Sequence, residues 1–387
     1  MQHQILPREA YTSQTWFQHE QEALFDGHWQ LAGFDSDFTE AGDYITLRAG
    51  LTPLCVVQGA DDEVRAFKNI CRHRGTELLE GRGNAGKTLV CPYHRWTFGL
   101  DGQLRGVPDR AACFPDLDRK ANNLHGAAIG RWKGMIFVNS DANADFDAWI
   151  TPLNSAAFPH DITDPGLQRS ETFTYLMQCN WKVFYENAID GYHLAYLHEK
   201  TLGGPKPGLN EWAQHGDHLV WYSTERDGIR NRIPLFIENQ ARGSGMPYIK
   251  GAKDPGYGGV YMLYPLTMIV PSPWSLTVST LEPVDATTTI MRSQTWSPKS
   301  WWSYKEPLDG TPGYDATTGL VESKNWTKHP LETGDFQTED VWVCEKMQRA
   351  MASPHWSVAA LAEGIGCEDP LRWFQTQVKR DCPSNTG

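Results

Sequence analysis

The sequence predicts an α+β protein of two domains, a small antiparallel β domain followed by a larger one that combines an antiparallel sheet with helices. Three observations carry this. The chain has 387 residues, more than the roughly 250–300 at which a single core stops growing. From about Asp43 to Ser140 it runs in short apolar stretches broken by Gly, Pro and Asp, the texture of a small antiparallel sheet. Beyond residue 150, helical patterns alternate with further strand-like runs.

The elements follow in order. Trp16 to Trp29 places Phe17, Ala23, Leu24 and Trp29 on a helical pattern with Gly33 soon after, predicting an N-terminal helix. The expected organisation is a helical segment over 1–41 that packs with the larger domain, a β domain over 42–150, and the larger domain over 151–387. Asp101-Gly102, inside Leu100–Gln103, predicts a two-residue hairpin turn. Polar, Pro-dotted sequence from Asp141 to Thr163 sets the boundary near 150. Glu171 to Met177 then reads as a strand and Trp181 to Tyr192 as a helix. Gly203 to Gly258 reads as a long irregular region of the kind that forms lids or pocket walls. Val260 to Val270, Ser275 to Leu281 and Thr287 to Trp296 read as an antiparallel meander. Asp340 to Met351, with apolar positions at 341, 344, 347 and 351 and Thr338 as N-cap, reads as the C-terminal helix.

Composition narrows the function. Lys and Arg number 35 against 47 Asp and Glu, a net charge of −12 without a basic run, which argues against nucleic acid. No run approaches the ~20 apolar residues that span a bilayer, so no membrane partner is expected. The first ten residues lack a signal-peptide core, and a cytoplasmic location is expected. The eight Cys are too sparse for a disulfide scaffold, and a Cys beside a His then reads as a metal ligand. The six Cys outside such pairs are expected to be small buried residues.

Two such pairs stand out. Cys71-Arg-His73 and Cys91-Pro-Tyr-His94, with 17 residues between His73 and Cys91, each offer a thiolate and an imidazole. Two Cys and two His suit a Rieske [2Fe-2S] centre, in which His replaces Cys on one iron and raises the potential. They also suit tetrahedral zinc, although zinc fingers usually present the Cys pair before the His pair.

A second constellation lies in Asn180–His198. His193 and His198 are five residues apart, about 140° on an ideal helix, so both face one metal only if the helix ends or bulges between them. A carboxylate from Asp335, Glu339 or Asp340 would complete the two-His, one-carboxylate set of non-haem Fe(II) oxygenases. Spacing alone leaves the choice open. Asn187 and Tyr192 flank the histidines and are candidates for hydrogen bonds that orient them.

CRHRG followed by CPYHRWTFGLDGQL resembles the cluster motif of the α subunits of Rieske ring-hydroxylating oxygenases. ENAIDGYHLAYLH and EDVWVCEKMQ resemble the family's two iron-binding segments, in the same order along nearly the whole chain. The resemblance implies a Rieske [2Fe-2S] domain and a catalytic domain of helix-grip (Bet v1-like) type. It places Cys71 and Cys91 on one cluster iron and His73 and His94 on the other. It makes His193, His198 and Asp340 the ligands of a mononuclear Fe(II). Many members have Gly where Arg95 stands, a variation expected to leave ligation undisturbed. The acid matching Asp190 connects the iron ligand to a cluster His of the adjacent subunit, which implies a homotrimer, sometimes with a separate β subunit. The implied activity is hydroxylation of a small organic substrate with O2. Electrons would come from a reductase or ferredoxin, with NAD(P)H used only indirectly, and Arg72, Arg74 and Arg95 are candidate docking residues for that donor. Asp rather than Glu at 190 leans toward an aromatic substrate. The alternatives are a monooxygenase or demethylase of choline, carnitine or betaine type, and an electron carrier without oxygenase activity.

Overall fold

A computed structural model describes residues 3–156, 161–169, 172–201, 210–223, 259–271, 275–299, 310–358, 360–364 and 368–383. The chain divides into two compact units, His19–Thr151 and, together, Met1–Gln18 with Pro152–Gly387.

The smaller unit carries β1 (Gln30–Phe34), β2 (Asp43–Ala49), β3 (Thr52–Gln58), β4 (Val64–Lys68), β5 (Arg82–Asn84), β6 (Thr88–Val90), β7 (Thr97–Gly99), β8 (Leu104–Gly106), β9 (Gly126–Trp132) and β10 (Met135–Asn139). They form a seven-stranded sheet, β1-β10-β9-β4-β3-β2-β5, and a three-stranded one, β6-β7-β8. The expected break at 41 lies instead after Gln18, because β1 pairs with β10 and so draws residues 19–41 into this unit. The helix expected over 16–29 is shorter: Gln14–Glu20 is α-helical, Gln21–Phe25 is a π-helical turn, and the chain is extended from Gln30.

Strand β3 is buried on both faces. Alternation sends Cys55 and Val57 into a cluster with Phe67, Cys71, Cys91, Trp96 and Phe98, and Leu54 and Val56 into another with Ile136 and Val138. The two Cys/His loops thus leave β4 and β6 over a packed apolar floor. The β7–β8 connection is longer than the two-residue turn expected, since Phe98 pairs with Leu104 across residues 100–103. Gly102 there has φ +79°, and a Cβ would meet the Phe67 ring at 2.4 Å, so only glycine fits.

The larger unit adds β11 (Leu167–Arg169), β12 (Phe173–Met177), β13 (Asn210–His215), β14 (His218–Ser223), β15 (Gly259–Leu263), β16 (Thr267–Pro271), β17 (Leu276–Asp285), β18 (Thr288–Pro298), β19 (Tyr314–Asp315) and β20 (Leu320–Glu322). Its sheet runs β13-β14-β15-β16-β17-β18-β12-β20-β19, with β11 beside β18. The Val260–Val270 run is therefore two strands. Part of the stretch expected to be irregular, 210–223, is a hairpin at one end of this sheet; residues 203–209 and 224–258 lie outside the described residues. The long β17–β18 hairpin is set by an Asp285 side chain that accepts from Thr287 N (2.7 Å). Cross-strand hydroxyl pairs, Ser279–Ser293 (2.7 Å) and Thr277–Thr295 (2.9 Å), hold its register.

Three helices frame the region of the histidines. Trp181–Ile189 is N-capped by Asn180, whose side chain accepts from Lys182 N (3.0 Å), and it buries Trp181, Val183, Phe184, Tyr185 and Ile189. Phe336–Met351 packs against it. That helix starts four residues before Asp340: Asp335 is the N-cap, accepting from Gln337 N (3.2 Å) and from the Thr338 hydroxyl (2.6 Å), so Thr338 is held by the cap rather than being it. A further helix, Asp369–Asp381, is the last of the chain. Its polar composition hides it in the sequence, but Phe374 stacks on Tyr185 at 4.1 Å. Of the other six Cys, Cys55, Cys179, Cys344 and Cys382 are buried as expected; Cys113 is exposed, on a short surface helix, and Cys367 lies outside the described residues. Among the described residues no helix is long and apolar enough to cross a membrane.

Candidate metal centres

The two Cys/His loops share one backbone design. In the first, Cys71 N donates to Thr76 O (2.8 Å) and Gly75 N to Cys71 O (3.0 Å). In the second, Cys91 N donates to Trp96 O (2.8 Å) and Arg95 N to Cys91 O (3.0 Å). Each loop turns at the fourth residue after its Cys, with φ +76° at Gly75 and +59° at Arg95. Arg95 thus occupies a left-handed position that favours glycine, at a cost of roughly 1–2 kcal/mol.

This geometry brings like donors together. The Cys71 and Cys91 thiols are in hydrogen-bonding contact, and burial together with that neighbour pushes Cys71 up to about 11. The His73 and His94 rings lie 4.5 Å apart. His73 stacks flat on Trp96 at 4.9 Å. Its buried Nδ1 has no hydrogen-bond partner, and burial, His94 and Arg74 lower its proton affinity. Two adjacent buried thiols and a buried imidazole nitrogen without a hydrogen-bond partner are what a thiolate- and imidazole-bound metal group needs. Among the described residues the quartet does not bring three donors within 4.8 Å of one another. Of the arginines, Arg74 donates to Tyr93 Oη (3.1 Å) and lies over that ring, linking the two loops. Arg72 contacts His125, and Arg95 is exposed.

The second constellation is assembled across the larger unit. The Trp181–Ile189 helix ends before His193, not between the two histidines. After it, His193 and His198 stand at the two ends of a one-turn helix, Leu194–Leu197. Their Nε2 atoms are 3.2 Å apart, and Asp340 Oδ1 is 3.0 Å from His198 Nε2 and 3.5 Å from His193 Nε2. Among the described residues this is the one group of three donors within 4.8 Å of one another. Asp340 is thus the acid whose oxygen meets the Nε2 atoms of both histidines, while Asp335 is used as the helix cap.

Neighbouring polar groups surround the three. Asn187 Nδ2 donates to Asp340 Oδ1 (2.9 Å). Asp190 Oδ2 lies 3.2 Å from His193 Nδ1. Glu339, which the sequence offered only as a rival ligand, has its Oε2 2.7 Å from His198 Nδ1 and accepts from the Thr201 hydroxyl at 2.7 Å. Tyr192 contributes through its backbone, whose N–H donates to Asp190 Oδ1 (2.7 Å). Its side chain is exposed, packed edge-on to Tyr196, so the expected side-chain role is absent. Burial works against a charge on His193, but Asp190 and Asp340 outweigh it and raise the ring to about 10. His198 is raised the same way. Burial alone would raise Asp340, yet the two imidazoles hold it well below the usual carboxylate range. Three acids thus surround two imidazoles, with two nitrogens and an oxygen converging, the donor types a cation site needs. The donor set fits Fe(II) and leaves coordination positions open.

Comparison with known proteins places both parts of the chain in families. Residues 28–118 match the model of the Rieske [2Fe-2S] domain, and residues 165–384 match that of the ring hydroxylating alpha subunit (catalytic domain). The chain is 30% identical over 291 residues to the carnitine monooxygenase oxygenase subunit of Acinetobacter pittii, covering 73% of each chain. It is 26% identical over 340 residues to the glycine betaine monooxygenase oxygenase subunit of Pseudomonas aeruginosa, covering 79% of this chain and 75% of that one. Its fold is similar to a crystal structure of a quaternary ammonium Rieske monooxygenase, with TM-score 0.73, 24% identity, and 97% and 95% of the two chains covered.

Proposed function

For a chain that belongs to the α subunits of the Rieske ring-hydroxylating oxygenases, we propose the role of oxygenase component in a multicomponent monooxygenase of a small quaternary ammonium compound. Cys71 and Cys91 would hold one iron of the [2Fe-2S] cluster and His73 and His94 the other; His193, His198 and Asp340 would hold the mononuclear iron. When bound, the two groups supply single-electron transfer and activation of O2. The chain's own residues do the positioning. Asn187 holds the Asp340 carboxylate against rotation through its 2.9 Å hydrogen bond. Asp190 sits against His193 and is itself oriented by the Tyr192 N–H. Its carboxylate is 18% exposed, open to a cluster histidine of an adjacent subunit, as the family resemblance implies for a homotrimer. The electron donor is a separate reductase or ferredoxin.

The observation that carries the oxygenase reading is the convergence of two imidazole nitrogens and a carboxylate oxygen, which an electron carrier does not need. The substrate class rests on the relatives, whose names specify carnitine and glycine betaine. The lean toward an aromatic substrate, which depended on Asp rather than Glu at 190, is withdrawn in their favour. The test is O2 consumption with a compatible reductase across carnitine, choline, betaines and simple aromatic acids, with product analysis. Turnover of a quaternary ammonium compound is expected. Turnover confined to the aromatic compounds would overturn the assignment.

A further inference from the structure

We infer that Glu339 is a positioning residue for the mononuclear metal: its buried carboxylate fixes the ring of His198 and strengthens that histidine as a ligand, with Thr201 holding the carboxylate in place. This rests on the reading that His193, His198 and Asp340 hold a divalent metal.

The geometry gives the argument. His198 is 1% exposed and so is Glu339. An anion that deep is costly unless it is paired and hydrogen-bonded. Glu339 Oε2 takes both contacts available to it from this side, the His198 Nδ1 at 2.7 Å and the Thr201 hydroxyl at 2.7 Å. It lies in the first turn of the Phe336–Met351 helix, where the free N–H groups favour negative charge. With Nδ1 turned to the Glu339 carboxylate, the nitrogen of His198 left for a metal is Nε2. That Nε2 is the atom 3.2 Å from His193 Nε2 and 3.0 Å from Asp340 Oδ1. Glu339 and Asp340 are therefore neighbours with divided work, one behind the imidazole and the other beside the metal position.

His193 is served differently. Its Nδ1 faces Asp190, whose carboxylate is 18% exposed, against 1% for Glu339. The carboxylate beside His193 is partly exposed, whereas the one beside His198 is sealed and, among the described residues, meets the ring and the Thr201 hydroxyl. A carboxylate so placed raises the basicity of a ligating imidazole and fixes its tautomer, and removing one from a metal-bound histidine typically costs 10–100-fold in affinity.

The experiment is a competition titration of the full chain, stripped of its mononuclear metal, with Co(II) and a chromophoric chelator. It compares wild type with Glu339→Gln, Thr201→Val and His198→Ala, with the cluster's visible spectrum recorded throughout. Glu339→Gln keeps the shape and can still accept from Nδ1, but loses the charge. We expect its Kd for Co(II) to rise roughly 10–100-fold with an altered Co(II) d–d spectrum. Thr201→Val should weaken binding less, and the cluster spectrum should be unchanged in both. Should Glu339→Gln unfold, the Thr201→Val titration and its d–d spectrum decide alone. Wild-type affinity and spectrum in Glu339→Gln and Thr201→Val, with binding lost in His198→Ala, would overturn the positioning role and leave the metal site standing. Wild-type affinity in His198→Ala would instead overturn the metal site itself.

Discussion

The two metal centres use histidine in opposite ways. At the cluster loops, burial, with His94 and Arg74 adding to it, lowers the affinity of His73 for a proton. At the triad, His193 is surrounded by Asp190 and Asp340 and is raised to about 10. The cluster loops are built from backbone: two matched turns, each closed by its own N–H···O pair, project their ligands from one small unit. The triad is built from side chains, with a buried and a partly exposed carboxylate beside the imidazoles and an amide on the third donor. A centre made of turns should respond to backbone substitutions, and a centre made of buried acids should respond to charge.

The largest expected effect separates the centres outright. His193→Ala should abolish substrate-dependent O2 uptake while the cluster's visible spectrum persists, and Cys71→Ser should remove that spectrum while iron at the triad remains. Loss of both groups in either variant would mean the centres are not independently built. Next, Asn187→Ala frees the Asp340 carboxylate and should lower kcat by roughly tenfold or more, with the spectrum unchanged; equal rates would remove Asn187 from the site.

A third prediction concerns the cost of burying acids beside the triad. Glu186, in the Trp181–Ile189 helix, accepts from Tyr11 Oη (2.6 Å) and Gln375 Nε2 (3.0 Å). Burial outweighs these bonds and raises it from 4.5 to about 7. A carboxyl whose folded pKa lies above its unfolded one destabilises the fold as pH rises, from about 4.5 until the loss levels off above about 7. The total is on the order of 3 kcal/mol. Glu186→Gln should therefore gain Tm over wild type at pH 8 and gain little at pH 4.5; a gain independent of pH would contradict the ionisation. The smallest effect falls on the cluster loops. Arg95→Gly relieves the left-handed backbone at +59° and should add less than about 1 kcal/mol after glycine's own entropy is counted. Gly75→Ala, at +76° in the matching loop, should destabilise by a comparable amount. Thermal melts followed through the cluster absorbance read both.

The contrast also explains what was legible in the sequence. The cluster ligands lie within 24 residues, Cys71 to His94, so their pattern is local and spacing alone raised them. The triad joins His198 to Asp340, 142 residues away, and spacing could not choose among Asp335, Glu339 and Asp340. Helix phase separates the three: Asp335 turns back to cap its own helix, while Glu339 and Asp340 reach opposite sides of one imidazole. Thr201 carried no sequence signal, since its partner is distant in the chain. The glycine that many family members have at position 95 is the one sequence sign of the positive φ at Arg95. The small unit's boundary was misplaced because β1 pairs with β10, over 100 residues later, and no local pattern reveals such a partner.

Metal analysis tests the central claim most directly: iron and zinc are counted per chain in wild type, Cys71→Ser and His193→Ala, beside the visible spectrum of each. The account predicts about three irons in wild type, about one in Cys71→Ser, and about two with an intact spectrum in His193→Ala. Zinc in place of the cluster iron, or three irons retained in His193→Ala, would contradict it.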